Sequence, residues 1–139
     1  NMTRFNITLD QGVEYVLKCL ETMWGGEIFV PKIPSYKIGD LAKAICPHSK
    51  IRIIGVRPGE KINEEMVSEH DSLNTIETKD GYIIAPSLKL RNFKREYLKK
   101  KKSSKSCKKD FSYNSKDNSK FLSTSEIKNL VKKNLKDFE

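Results

Sequence analysis

Between Thr8 and Gly26 the apolar positions follow one clear period. Leu9, Val13, Val16, Leu17 and Leu20 fall mostly three and four residues apart, the spacing that lines one face of an α-helix. Thr8 and Gln11 stand at capping-box spacing, and Asp10 puts a negative charge at the positive end of the helix dipole. Gly25-Gly26 supplies the left-handed stop. An apolar stripe of this width has to be covered, so the helix constrains everything around it. Glu27 to Val30 follows as a short strand, and Pro31 and Pro34 are expected to forbid regular pairing beyond it. Ser35 is expected to cap a second helix with Ile38, Leu41, Ala42 and Ile45 on one face, ended by Pro47. Ile51 to Val56, rich in β-branched residues, reads as a buried strand, Ile62 to Val67 as a short helix, and Tyr82 to Ala85 as a further strand. The alternation predicts an α/β fold. Its expected core is Leu9, Val13, Val16, Leu17, Leu20 and Ile51 to Val56, with an exposed apolar patch beside it.

Charge divides the chain. The formal net charge is +9, yet residues 1–98 hold 14 Lys+Arg against 13 Asp+Glu, while residues 99–139 hold 13 against 5. From Leu88 to Lys109, eleven of 22 positions are Lys or Arg and the sole acid is Glu96. Such a block repels itself, which predicts an extended, mobile linker over 88–120. It would separate a folded α/β portion, 1–87, from a C-terminal helix, 121–139. That helix has Leu122, Ile127, Leu130, Val131 and Leu135 on a narrow face and Ser123 or Ser125 as its cap. Phe93, Tyr97, Phe111 and Tyr113 flank the lysines too loosely for a stacking platform, and no nucleic-acid-binding motif occurs. The block therefore implies weak adhesion to polyanions and no specific nucleic-acid partner.

Cys19, Cys46 and Cys107 are scattered, without a Cys-x-x-Cys pair, which argues against a disulfide framework and a zinc site. Cys19 and Cys46 lie in apolar helical patterns and are expected to be buried thiols. No apolar run approaches the roughly 20 residues that span a bilayer, so no membrane span is expected. The chain enters a structured pattern close to Asn1 with no signal-peptide pattern, as a piece of a longer protein would, and a cytoplasmic location is expected.

The residues that could carry chemistry are few. None of the seven glycines forms Gly-x-Gly-x-x-Gly, and there is no P-loop, so no cradle for a nucleotide cofactor is encoded. Tyr97 and Lys101 have Tyr-x-x-x-Lys spacing, but the run Lys99 to Lys102 would match almost any aromatic placed before it. His48 and His70 are lone histidines in polar surroundings, with no catalytic set around them. Arg57-Pro58-Gly59-Glu60 carries more information. Pro58 biases Arg57 toward extended backbone, Gly59 permits a tight reversal, and Glu60 can accept hydrogen bonds from sugar or ribose hydroxyls. The Arg57 guanidinium matches phosphate oxygens in a two-pronged geometry. Spacing alone favours a surface turn with an Arg–Glu ion pair over a ligand contact.

Met2-Thr3-Arg4-Phe5 with Ile7 to Asp10, Gly26 to Lys32, Ile38 to Ala44 and above all Gly55-Val56-Arg57-Pro58-Gly59-Glu60-Lys61 together resemble bacterial UDP-N-acetylglucosamine 4,6-dehydratases. These form a CapD-like polysaccharide biosynthesis branch of the extended short-chain dehydrogenase/reductase superfamily, and the configuration-inverting type is the best match. The likeness runs from Met2 to about Pro86, thins through the lysines, and returns at Tyr113-Asn114-Ser115, Asn118 and Phe121-Leu122-Ser123. Asn6 departs from it, standing where the family has a bulky apolar residue. The resemblance implies the C-terminal, substrate-binding portion of such an enzyme, lacking most of the Rossmann sheet. It implies that NADP belongs to the complete enzyme and is bound by an N-terminal Rossmann half, with no cofactor on this chain alone. It further implies UDP-N-acetylglucosamine or a related UDP-sugar as ligand, a homo-oligomer when complete, and no turnover by this chain by itself. Arg57 and Glu60 would hold the UDP moiety, Arg57 at the pyrophosphate, and Arg4 and Thr3 would lie near the substrate cleft. A free-standing accessory subunit that pairs with a separate cofactor-binding chain is the alternative, and a basic nucleic-acid-binding module a more distant one.

Overall fold

A computed structural model describes residues 1–87 and 90–134. In chain order the elements are β1 (Thr3–Phe5), α1 (Leu9–Thr22), β2 (Ile28–Pro31), β3 (Ser35–Lys37), α2 (Ile38–Ile45), β4 (Glu65–Val67), a 3-10 turn (Glu69–Asn74), β5 (Thr75–Glu77), β6 (Gly81–Ile84), α3 (Leu90–Lys100), β7 (Lys105–Ser106), β8 (Tyr113–Asn114) and α4 (Thr124–Asn134). They divide into two compact units, one of residues 1–8, 33–64 and 114–139, the other of residues 9–32 and 65–113.

In the first unit β1 and β3 pair antiparallel, Thr3 with Lys37 and Phe5 with Ser35. Helices α2 and α4 pack on each other through Ala44 and Ile127, joined by Leu122 just before α4, with Leu41, Leu130 and Val131 half-buried around them. The Ser-x-x-Glu signal at the start of α4 forms a complete capping box. The Glu126 N–H donates to Ser123 Oγ (3.3 Å) and the Ser123 N–H donates to Glu126 Oε2 (2.8 Å), satisfying two orphan amides. Leu135, placed by the sequence on the apolar face of this helix, lies outside the described residues. Ser35 does not cap α2; Lys37 precedes that helix, without a side-chain cap bond. Ser35 is instead fully buried in β3, where its hydroxyl accepts from Asn118 Nδ2 at 2.9 Å. Long-range pairing outcompetes the local capping option there.

In the second unit β2, β6, β5 and β7 form a four-stranded sheet in that order, each pair antiparallel. Pro31 belongs to β2, opposite Gly81, a correction to the expectation that it blocks pairing; an end position loses little by lacking an N–H. The core is Ile76, Ile83 and Ala85 from the sheet region, covered by Phe93 and Tyr97 of α3. Fully burying a side chain of this size contributes about 1.5–3 kcal/mol. Trp24 meets Phe93 and Tyr97 with ring centroids 5.4 and 5.2 Å apart, and Lys100 lies over its ring. Tyr82 packs between Phe111 and Tyr113, and burial, with Glu77 nearby, pushes its hydroxyl up to about 12.

Several expectations are overturned. Ile51 to Val56 forms no strand and is exposed throughout, Ile53 at 91%. Gly55, at φ +85°, breaks the extended run. The stripe on α1 is solvent-facing, with Leu9 83% exposed and Val13, Val16, Leu17 and Leu20 each more than half exposed, so neither segment is core. The periodicity correctly predicts the helix; it records a demand for a partner, not the partner. Ile62 to Val67 is not helical: Glu65–Val67 is a strand paired with β8. Cys46 is exposed and Cys19 only half-buried. The stretch read as an extended linker contains α3, β7 and β8 instead. Phe93 and Tyr97, one helical turn apart, dock on the sheet while Arg95, Lys99 and Lys100 stay in solvent, so the charges avoid desolvation.

Candidate functional site

Arg57-Pro58-Gly59-Glu60 is a tight turn. The Glu60 N–H donates to the Arg57 carbonyl at 3.0 Å, and Gly59 takes φ +79° at the third position, a conformation open to glycine at little cost. The Glu60 carboxylate folds back and accepts the Arg57 N–H through Oε2 at 3.1 Å. Glu60 thus braces the turn from both its backbone and its side chain. The Arg57 side chain is exposed and has no hydrogen bond or ion pair among the described residues. Arg57 is carried by this braced turn, and not by the end of a strand as the sequence suggests.

The segment leaving the turn is tied down by the two other residues the sequence singles out. Arg4 spreads its guanidinium over backbone carbonyls, donating to Thr3 at 2.7 Å, Ile62 at 3.2 Å and Lys61 at 2.9 Å, with Glu64 at 3.6 Å. Charge-assisted bonds of this kind are the stronger ones. Thr3 is buried; its hydroxyl donates to Asn63 Oδ1 at 2.8 Å and shares a 2.7 Å bond with Ser115 Oγ. The Thr3 N–H donates to the Ile62 carbonyl at 3.0 Å, and the Phe5 N–H to Glu64 Oε2 at 2.9 Å. The structure therefore brings Thr3 and Arg4 against residues 61–64, directly after the turn that carries Arg57 and Glu60. Sequence reasoning assigns no role to Asn63, Glu64 and Ser115, which complete this lattice. Ser115 lies 112 positions from Thr3, and no local pattern links them.

Residues 50–61 hold Lys50, Arg52, Arg57 and Lys61 against the single acid Glu60, so the segment around the turn is cationic. An exposed guanidinium on a braced backbone, in a segment of net positive charge, can pair with an anion. Nothing in it is arranged for proton transfer. His48 and His70 are both exposed. Tyr97 is buried against Phe93, and burial, with Glu27 adding to it, raises its hydroxyl above the ordinary value, the opposite of what activation requires. No group of three metal-ligating side chains occurs among the described residues.

Comparison with known proteins identifies the family. Residues 1–86 match the family described as polysaccharide biosynthesis protein. A UDP-N-acetylglucosamine 4,6-dehydratase (inverting) of Campylobacter jejuni is 45% identical over 132 residues, which are 94% of this chain and 40% of that protein. A UDP-glucose 4-epimerase of Rickettsia canadensis is 41% identical over 88 residues, 60% of this chain and 26% of that protein. Among solved structures, Pen from Bacillus thuringiensis superposes with a TM-score of 0.74 at 29% identity, covering 95% of this chain and 39% of Pen. The chain spans about two fifths of the length of the dehydratase it matches. Its fold is a partial α/β domain of the short-chain dehydrogenase/reductase kind. By the match over its first 86 residues, the chain belongs to the polysaccharide biosynthesis protein family.

Proposed function

We propose that this chain is the sugar-nucleotide-binding, C-terminal portion of an NADP-dependent UDP-N-acetylglucosamine 4,6-dehydratase of the configuration-inverting type. Such an enzyme would serve nucleotide-sugar synthesis for surface polysaccharide or flagellin glycan, through the pseudaminic acid route. The observation that carries the reading is the Arg57 guanidinium, exposed on a turn braced by Glu60, in a chain 45% identical to a dehydratase over 94% of its length. Arg57 would pair with the pyrophosphate of the UDP-sugar, and the free oxygen of Glu60 would accept from a ligand hydroxyl. Arg4 and Thr3 act by fixing the backbone of residues 61–64, with their polar atoms already engaged by protein groups.

The sequence holds no Gly-x-Gly-x-x-Gly turn, so its residues do not fit NADP. The proposal assigns NADP, and the catalytic groups, to the part of the relatives that this chain does not span. The exposed stripe of α1 supports that division, since five apolar side chains at helical spacing are a surface built to be covered. A free-standing subunit that docks a separate cofactor-binding chain through the same stripe is the second reading, and the bare stripe favours it equally. In either case the setting would be cytoplasmic, and the complete enzyme a homo-oligomer. The test is to incubate the purified chain with UDP-N-acetylglucosamine and NADP and to follow the 4-keto product. No turnover is expected; clear turnover by the chain alone would overturn the division of labour proposed here.

A further inference from the structure

Tyr15, Lys18, Cys19 and Thr22 fall at i, i+3, i+4 and i+7 of α1 and share a face. At about 100° per residue this face lies on the order of 150° around the helix from the Leu9–Leu20 stripe. It lines one side of a cleft of about 200 Å³ inside the second unit. The β5–β6 hairpin contributes Thr78, Lys79, Asp80 and Gly81, and the segment around and after the end of α3 contributes Tyr97, Lys101, Ser103 and Ser104.

Most polar groups of the α1 side are already engaged. Lys18 is paired with Asp80, and the Thr22 hydroxyl donates to the Lys18 carbonyl at 2.9 Å. The Thr78 hydroxyl donates to the Gly81 carbonyl at 2.9 Å and accepts the Gly81 N–H at 3.1 Å, which closes the hairpin. The ammonium groups of Lys79 and Lys101 and the hydroxyls of Ser103 and Ser104 make no side-chain hydrogen bond or ion pair among the described residues. With Lys18 and Asp80 neutralising each other, the cleft keeps two positive charges, one from the hairpin and one from the segment after α3.

We propose that this cleft binds a small phosphate-bearing ligand. Two ammonium groups that make no side-chain hydrogen bond or ion pair among the described residues, and two hydroxyl donors, suit phosphate oxygens; Asp80, which also feels Lys79, leaves the lining with a net positive charge. The volume is below the roughly 300–1,000 Å³ of pockets for drug-sized ligands, which suits a phosphate with few carbons rather than a whole nucleotide sugar. The helix face concerned points away from the stripe. The cleft shares no residue with the Arg57 turn and does not rest on the function proposed above.

Titration of the full ¹⁵N-labelled chain with inorganic phosphate, against sodium chloride at matched ionic strength, tests it. Saturable amide shifts are expected at Lys79, Lys101, Ser103 and Ser104, with a dissociation constant on the order of 1 mM. Lys79→Ala with Lys101→Ala should weaken binding at least tenfold. The milder Lys79→Gln should weaken it by about threefold. Arg57→Ala should leave it unchanged. Glucose 1-phosphate should bind at least as well as phosphate, and glucose not at all. Linear shifts shared with chloride, saturation that survives the double substitution, or a response lost in Arg57→Ala would each overturn the proposal.

Discussion

A single added methyl group at Gly81 should distinguish a tightly registered hairpin from a loose one. Gly81 faces Pro31 across the β2–β6 pair, and a Cβ built there lies closer than 3.0 Å to both the Val30 carbonyl oxygen and the Tyr15 hydroxyl. The first of these is backbone within the sheet and cannot swing aside. Gly81→Ala therefore requires a shift of β2 against β6, and overpacking of this kind costs about 1–3 kcal/mol. Gly39 in α2 is the internal control: nothing lies within 4 Å of its added Cβ, and its φ is not left-handed. Gly39→Ala should stabilise by about 0.4–1 kcal/mol, because alanine loses less backbone entropy on folding. Urea unfolding followed by circular dichroism gives both differences as shifts in midpoint at constant slope. Adding Tyr15→Phe to Gly81→Ala should restore only part of the loss, since the Val30 carbonyl stays. A Gly81→Ala midpoint within error of the wild type, or full rescue by Tyr15→Phe, would refute the packing argument.

Two further outcomes follow from the same structure. Glu77 accepts from Lys32 at 2.9 Å and pairs with Lys105 at 3.3 Å, and these contacts, Lys32 foremost, hold its carboxyl below the ordinary 4.5 against an opposing effect of burial. A carboxyl depressed on folding stabilises above its ordinary value and loses that contribution as pH falls through the folded value. Stability measured from pH 7 to well below 4.5 should therefore fall more gently in Glu77→Gln than in wild type, by less than about 1 kcal/mol because the group is partly exposed; parallel curves would contradict this. Ser123→Ala removes one arm of the α4 capping box and should cost about 1 kcal/mol in the same unfolding assay, whereas Ser125→Ala should cost little. Equal losses at the two serines would contradict the assigned cap.

Legibility of the fold tracked how local each determinant is. Helix α1 was written in periodicity and a stop signal and α4 in periodicity and a cap, and the Ser123-x-x-Glu126 box lies within four consecutive residues. The segment 51–56 misled because a β-branched run signals a surface that wants cover, and no strand among the described residues pairs with it. Lysine density hid α3: charge counting weighs every position alike, whereas Phe93 and Tyr97 on one face are enough to dock a helix whose lysines remain hydrated. At the candidate site, the Arg-Pro-Gly-Glu turn was visible because proline and glycine fix their own backbone angles. The network of Thr3, Asn63, Glu64 and Ser115 was not, since it depends on residues more than a hundred positions apart meeting in the fold. Arg4 and Thr3 were singled out as neighbours of a ligand; their hydrogen bonds show them bracing the backbone beside the turn.

Arg57 is the proposed anchor for a sugar nucleotide. Steady-state kinetics of this chain combined with the cofactor-binding part of such a dehydratase test that role. A charge-assisted bond to phosphate contributes about 1.5–3 kcal/mol, so Arg57→Ala should raise KM for UDP-N-acetylglucosamine on the order of tenfold to a hundredfold. Arg57→Lys should recover part of this, because a point charge cannot supply the two-pronged contact. The affinity for NADP should stay unchanged. A KM for UDP-N-acetylglucosamine unaltered in Arg57→Ala would contradict the account and leave Arg57-Pro58-Gly59-Glu60 as a surface turn.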